Sequence, residues 1–277
     1  MLEIAKKVTR TFYPYQYSPV RRILEPRRIH AYCIGSNKSG THSIASMFAK
    51  HYRSSHEEAH GALINGFLDW KEGKLTERDF QTILLNHNKY AWLEMDSSHV
   101  HIEYVEYLVK YCPKAKFILT IRDCYSWLDS FFNHCLNHPL RDRWARLNHW
   151  RYAKYGHTYS THEDVLRQSG FLPLSSYISA WTEHNQKAID SIPQANLLIV
   201  RTHEISSRVD SIANFLDIRS DTLDTSRSHN FKAPKKYKIL NHIDSSFILH
   251  KSKLYCSDLM ANYFGDANYL DKALNKL

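Results

Sequence analysis

Nowhere among the 277 residues do ~20 consecutive apolar side chains occur, so the sequence offers no membrane-spanning helix. The opening residues, Met-Leu-Glu-Ile-Ala-Lys-Lys, never gather the apolar core of a signal peptide, which predicts a chain without an anchor. Cysteine is scarce and uneven. Cys33, Cys112, Cys124, Cys135 and Cys256 are odd in number and form no C-x-x-C pair, which suits a reduced, cytoplasmic compartment. No Gly/Ser-rich, Pro-rich or like-charge run marks a disordered linker, and no internal repeat appears. Present instead are 13% aromatic residues, a net charge of +9 and a pI near 9.2, which suit a packed core and anionic partners. The basic residues are scattered rather than massed on one helix, which argues against nucleic acid as the partner.

The run Ile29 to Phe48 is the most informative. Ala31 to Ile34 reads as a buried strand, Gly35 and Gly40 mark a turn, and Ile44, Met47 and Phe48 recur at helical spacing. A strand, a tight loop and a helix start bring backbone N–H groups and the positive end of a helix dipole to one point. Lys38 adds a charge there, and Ser39, Thr41 and Ser43 add hydroxyls, with His42 among them. The loop is suited to a phosphate or a sulfate. It is not the G-x-x-x-x-G-K-[ST] loop of P-loop NTPases, because Lys38 precedes Gly40 and no Gly-Lys-Ser/Thr tripeptide occurs in the chain.

Ala115 to Ile121 reads as a second buried strand, ending in Arg122-Asp123. Asp123 is a suitable N-cap for a helix from Cys124 to about Asn137. Ser126 and Ser130 are four apart and share a face of it. Arg122 and Ser130 together can grip one phosphate, through a planar fork of donors and a hydroxyl.

Lys38-Ser39-Gly40-Thr41 after a strand, and an arginine at a strand end with a serine eight residues later, resemble the two phosphate sites of sulfotransferases that use 3′-phosphoadenosine 5′-phosphosulfate (PAPS). The likeness extends more weakly to Leu172–Ile218, where Tyr177-x-x-x-Trp181-x-x-His184-Asn185, Ile192-Pro193, a strand Leu197 to Val200, Glu204 and Phe215-Leu216 follow the family's third segment. The resemblance implies that Lys38, Ser39, Gly40, Thr41, His42 and Ser43 hold the 5′-phosphosulfate and that Arg122 and Ser130 hold the 3′-phosphate. It also implies a C-terminal loop over the nucleotide, with Arg227, Asn230, Lys232, Lys235 and Lys236 as candidates.

Lys38 is placed to neutralise charge on the leaving phosphate, and an acceptor hydroxyl needs a base. Several branches of the family carry a catalytic glutamate just after the first helix. His56-Glu57-Glu58 resembles that element, giving Glu57 first and Glu58 second as the base, with His56 as a substrate group. The same stretch satisfies H-E-x-x-H, the helical zinc-protease signature. Eighteen histidines make a chance match the better explanation, and no metzincin continuation follows. In glycan sulfotransferases Glu-Lys-Ser-Pro often helps bind the substrate where this chain reads Glu94-Met95-Asp96-Ser97-Ser98-His99. Here Asp96 replaces the lysine, so Asp96 and His99 either touch the acceptor or cap the following helix. His99 and His101 point to different faces, which predicts no shared metal site.

Strands near 31–35, 90–95, 116–121 and 196–200 alternate with helices, an α/β pattern with a mainly parallel central sheet flanked by helices. The resemblance makes this a P-loop-like sulfotransferase architecture. The expectation is one domain over 1–277, with its core at about 29–235, a helical insertion near 140–170 and a helical C-terminal tail. The implied activity is sulfuryl transfer from PAPS to a hydroxyl or amine acceptor, carbohydrate or small molecule, without a metal. A P-loop-type nucleotide kinase and a non-catalytic nucleotide- or glycan-binding module are the alternatives.

Overall fold

In a computed structural model, the structure describes residues 19–57, 60–227 and 235–265. Helix α1 (Pro19–Leu24) precedes β1 (Ala31–Cys33), α2 (Thr41–Phe48), β2 (Ser54–His56), α3 (Gly61–Lys71), α4 (Glu77–Ala91) and β3 (Met95–Ser97). Then follow α5 (Val105–Tyr111), β4 (Lys116–Ile121), α6 (Cys124–Asn137), α7 (Asp142–Ala153), α8 (Asp164–Gln168), α9 (Leu174–Ser191), β5 (Leu197–Arg201), α10 (Val209–Phe215) and α11 (Ser245–Phe264). Five strands form one sheet in the order β2-β3-β1-β4-β5, and every pairing is parallel.

A parallel sheet needs both faces covered, and its central strands are accordingly apolar or buried throughout. Ala31, Tyr32 and Cys33 of β1, and Phe117 to Ile121 of β4, are all buried. One cluster packs α3, α4 and α5 around Phe67, Phe80 and Tyr104. A second joins α6, α9 and α11 around Trp127, Phe131 and Trp181, and a third lies under α2 and α10 around Ile44, Phe48 and Ile212. Among the described residues no helix is long and apolar enough to cross a membrane.

The chain leaves β3, passes over β1 and lays down β4 on its other side, so the strand order reverses at β1. In open α/β sheets ligands bind beyond the carboxyl ends at such a reversal. The register aligns those ends, Cys33 lying beside Ser97 and Ile118, and Ser97 beside His56. Residues 34–43, 57, 98–99 and 122 therefore leave the sheet on one edge.

Two expectations are corrected. The strand predicted near 90–95 is displaced, because α4 buries Phe80, Leu84 and His87 at helical spacing and runs to Ala91. Trp92, at φ 49, ends it, and the strand begins at Met95. The H-E-x-x-H stretch is not on a helix: His56 closes β2, Glu57 sits at φ 65, and His60 caps the start of α3. The two histidines therefore do not share a helix face.

Candidate active site

The loop after β1 is held from outside through its carbonyls. Trp127 Nε1 donates to Asn37 O at 2.8 Å, Arg122 Nη1 to Lys38 O at 3.2 Å, and Thr202 Oγ1 to Ser39 O at 2.6 Å. In trans peptides the following N–H points opposite to each carbonyl. The amides that follow the Asn37 and Ser39 carbonyls, those of Lys38 and Gly40, are thereby turned to the loop's inner side, while Ser39 N donates to Ser36 O at 3.1 Å. Lys38 is at φ 64 and Gly40 at φ 108, the left-handed region where a side chain with a Cβ is strained. A Cβ on Gly35 would fall 1.9 Å from Thr120 Oγ1, so the loop can press against β4 only with glycine there. Helix α2 begins at Thr41 with Gly40 as its N-cap and no side-chain cap. The first-turn amides of Thr41, His42 and Ser43 then depend on something other than a capping side chain.

Lys38 is half-buried, and burial together with the Arg122 charge lowers its pKa. Arg122 is oriented by its surroundings. Its Nε donates to Ser126 Oγ at 3.0 Å, Ser126 is tied in turn to Asp123, and Trp181 Nε1 donates to the Arg122 carbonyl at 3.1 Å. The guanidinium thus reaches Ser126, one turn before half-buried Ser130 on the same helix face. The Ser39 hydroxyl turns inward, onto Ser36 O at 2.6 Å and Thr120 Oγ1 at 3.0 Å, so it shapes the loop. Thr41 Oγ1 meets His56 Nε2 at 3.1 Å, and Ser97 Oγ donates to Thr41 O at 2.7 Å. His42 packs its ring edge-on to His56 with centroids 5.1 Å apart. Burial lowers the pKa of His56 and favours the neutral ring.

Glu57 follows β2 and meets the residues that leave its neighbour β3. Its Oε1 accepts from Ser98 Oγ at 3.2 Å and from His99 N at 3.3 Å, with His99 Nε2 3.5 Å away. Buried Arg151 of α7 sets the state of His99. Its Nη1 approaches His99 Nδ1 at 2.9 Å, and a guanidinium can only donate, so Nδ1 is the acceptor and the imidazole proton sits on Nε2, facing Glu57. Burial and the Arg151 charge hold His99 well below the usual histidine range, in keeping with a neutral ring. Glu103 fixes Arg151 through two contacts of 2.8 and 2.5 Å. The path Glu103–Arg151–His99–Glu57 joins three stretches far apart in the sequence, at 57, 99–103 and 151.

Asp96 lies deeper. Its carboxylate is buried against His60 Nε2 at 2.9 Å and His87 Nε2 at 2.8 Å, with His101 Nε2 at 3.4 Å. It therefore faces the interior histidines beneath the strand ends. Glu58 lies outside the described residues, as do Asn230 and Lys232 of the C-terminal loop. Arg227 closes a short 3-10 turn, and Lys235 and Lys236 are exposed, with Lys235 O accepting from Asn137 Nδ2 at the end of α6. Arg151, Glu103, Ser98 and Thr202 were not singled out from the sequence.

No curated protein matches the sequence. Two solved structures similar to it are sulfotransferases. That from Alicyclobacillus acidocaldarius is 15% identical with a TM-score of 0.48, covering 88% of this chain and 99% of its own. Sulfotransferase STF9 from Mycobacterium avium is 12% identical with a TM-score of 0.48, covering 95% of this chain and 84% of its own. The family model described as a sulfotransferase domain matches residues 31–219, which span β1 to the turn after α10 and include the β1–α2 loop and Arg122. This chain belongs to the sulfotransferase family.

Proposed function

We propose that the protein uses PAPS as donor and transfers its sulfuryl group to a hydroxyl or amine acceptor, carbohydrate or small molecule. The observation that carries this reading is the coupling of two anion-binding elements. Arg122, at the end of β4, is hydrogen-bonded to the carbonyl of Lys38 in the loop that opens uncapped helix α2. Two phosphate-bearing ends of one nucleotide require such a pair of sites at a fixed separation.

The fit is good on the donor side. The amides of Gly40, Thr41, His42 and Ser43, the Ser43 hydroxyl and the α2 dipole bind the 5′-phosphosulfate, while Ser39 holds the loop in shape. Arg122 and Ser130 bind the 3′-phosphate. When bound, PAPS supplies an activated sulfuryl group with a phosphate as leaving group. Lys38 stabilises the charge that develops on that phosphate. These cations come from the chain, so the reading needs no metal ion at the transfer site.

On the acceptor side Glu57 takes the proton of the attacking group. Three donors crowd its Oε1, which leaves Oε2 for the acceptor. His99 orients Glu57, and His56 lies between Thr41 and the acceptor space. Glu58 is the alternative base. The five free cysteines support a cytoplasmic setting.

The test is release of 3′-phosphoadenosine 5′-phosphate from PAPS in the presence of glycan, phenol and amine acceptors. Turnover that disappears in Lys38→Ala supports the reading. Turnover of ATP with magnesium, with none of PAPS, would sink it.

A further inference from the structure

Below the strand ends, the groups that converge on Asp96 are not used by the proposed transfer. His60, His87 and Asp96 each offer a ligand atom, all within 4.8 Å of one another, and all three residues are buried. They come from three elements: the turn into α3, the middle of α4, and β3. His101, only 1% exposed, turns its Nε2 to 3.4 Å from Asp96 Oδ1, yet neither of its ring nitrogens has a hydrogen-bond partner. A buried imidazole with both nitrogens unsatisfied is costly. From the ion geometry alone, tetrahedral zinc with ligand bonds near 2.0–2.1 Å sets its ligand atoms about 3.3 Å apart. His60 Nε2 lies 2.9 Å from Asp96 Oδ1 and His87 Nε2 2.8 Å from Oδ2, so a bound ion would widen these contacts by a few tenths of an ångström to reach that spacing.

We infer that His60, His87 and Asp96 form a structural zinc site, with the buried His101 ring packed beside Asp96. Imidazoles with one carboxylate suit zinc, and burial of all three ligand residues favours a structural rather than a catalytic ion. Two histidines and a carboxylate also suit ferrous iron, but that chemistry uses open coordination positions, and here the fourth side is filled by the His101 ring. Binding replaces the Nε2 protons with which His60 and His87 now donate to the Asp96 carboxylate, and those protons pass to solvent. The ion would tie the turn that carries Glu57 to β3, whose exit supplies Ser98 and His99. Only His60 of the H-E-x-x-H stretch takes part, so no protease geometry arises. This inference stands apart from the choice of donor nucleotide.

Because the site is closed, metal enters during folding, and the experiment loads it that way. Tag-free full-length protein is unfolded, stripped with chelator, and refolded with zinc, with cobalt(II) or with chelator alone. The expected result is about one zinc per chain that survives dialysis. The zinc-refolded protein should also melt at a higher temperature than the chelator-refolded protein, and the cobalt form should show the intense visible absorption of tetrahedral coordination. His87→Gln, remote from the transfer site, should lose the metal and the melting difference. Wild-type protein with less than about a tenth of a metal per chain, no tetrahedral cobalt spectrum and identical melting would overturn the proposal, leaving a hydrogen-bonded histidine–aspartate cluster only. That outcome is read on the wild type, so a variant that fails to fold does not decide the matter.

Discussion

The proposed donor and acceptor halves of the site are built differently. The donor half is backbone: one loop between β1 and α2, its carbonyls taken by Trp127, Arg122 and Thr202 so that the Lys38 and Gly40 amides turn inward. The acceptor half is side chain: Glu57, Ser98, His99, Arg151 and Glu103, drawn from three segments into one hydrogen-bonded path. A backbone site is written in consecutive residues, because glycine placement, strand and helix start are local. A side-chain site is written in contacts, and contacts between positions 57 and 151 leave no spacing to read.

The largest effect is expected where the acceptor half does its chemistry. Glu57→Gln keeps the shape and removes the base, and should lower kcat by ~10²–10⁴-fold with PAPS affinity unchanged. A wild-type rate would pass the role to Glu58. Lys38→Ala removes charge stabilisation at the leaving phosphate, and should cost ~10²–10³-fold in kcat while nucleotide binding changes little. An effect confined to affinity would make Lys38 a mere anchor. Arg122→Ala should weaken 3′-phosphoadenosine 5′-phosphate binding by about 1.5–3 kcal/mol, the value of a charged hydrogen-bonding group, as measured by titration calorimetry.

The next effect is on stability and follows from His184, which donates from Nε2 to Ile34 O at 2.8 Å and thereby supports the end of β1. Burial, then the Arg151 charge, lowers its pKa to about 3. Between that value and about 6.5 the unfolded chain binds a proton that the folded chain does not, so stability falls as pH falls through this window. The slope is about 1.4 kcal/mol per pH unit, or about 2 kcal/mol lost by pH 5. His184→Gln keeps a donor and should flatten the urea-midpoint difference between pH 7 and pH 5; an unchanged difference would assign the acid sensitivity to other groups. The smallest effect belongs to Arg151→Lys, which keeps the charge but loses the fork that reaches both His99 and Glu103. A lost hydrogen bond of this kind should cost about tenfold in kcat, with the donor KM unchanged. A matching rise in the donor KM would mean that the two halves are coupled.

Local pattern made the strand, loop and helix of 31–48 legible, as well as the helix after Arg122 with Asp123 as its cap. The parallel direction of the sheet followed from strands alternating with helices. Strand β2 escaped notice because three half-buried residues, Ser54, Ser55 and His56, carry no apolar alternation. The boundary at 91–95 was misplaced because Glu94 is fully buried. Arg28 and Arg53 neutralise it, and that pairing spans 66 and 41 positions of sequence. Asp96 stood in the sequence as an acceptor or capping group. Its placement among His60, His87 and His101 depends on α4 packing over the sheet, which no single segment encodes.

The central claim is that the β1–α2 loop and Arg122 together recognise a nucleotide phosphorylated at both ends. Isothermal titration of chelator-treated protein with 3′-phosphoadenosine 5′-phosphate, against ATP with magnesium, tests it directly. The account predicts saturable binding of the first that is weakened in Arg122→Ala. No binding, or a preference for ATP with magnesium, would contradict it.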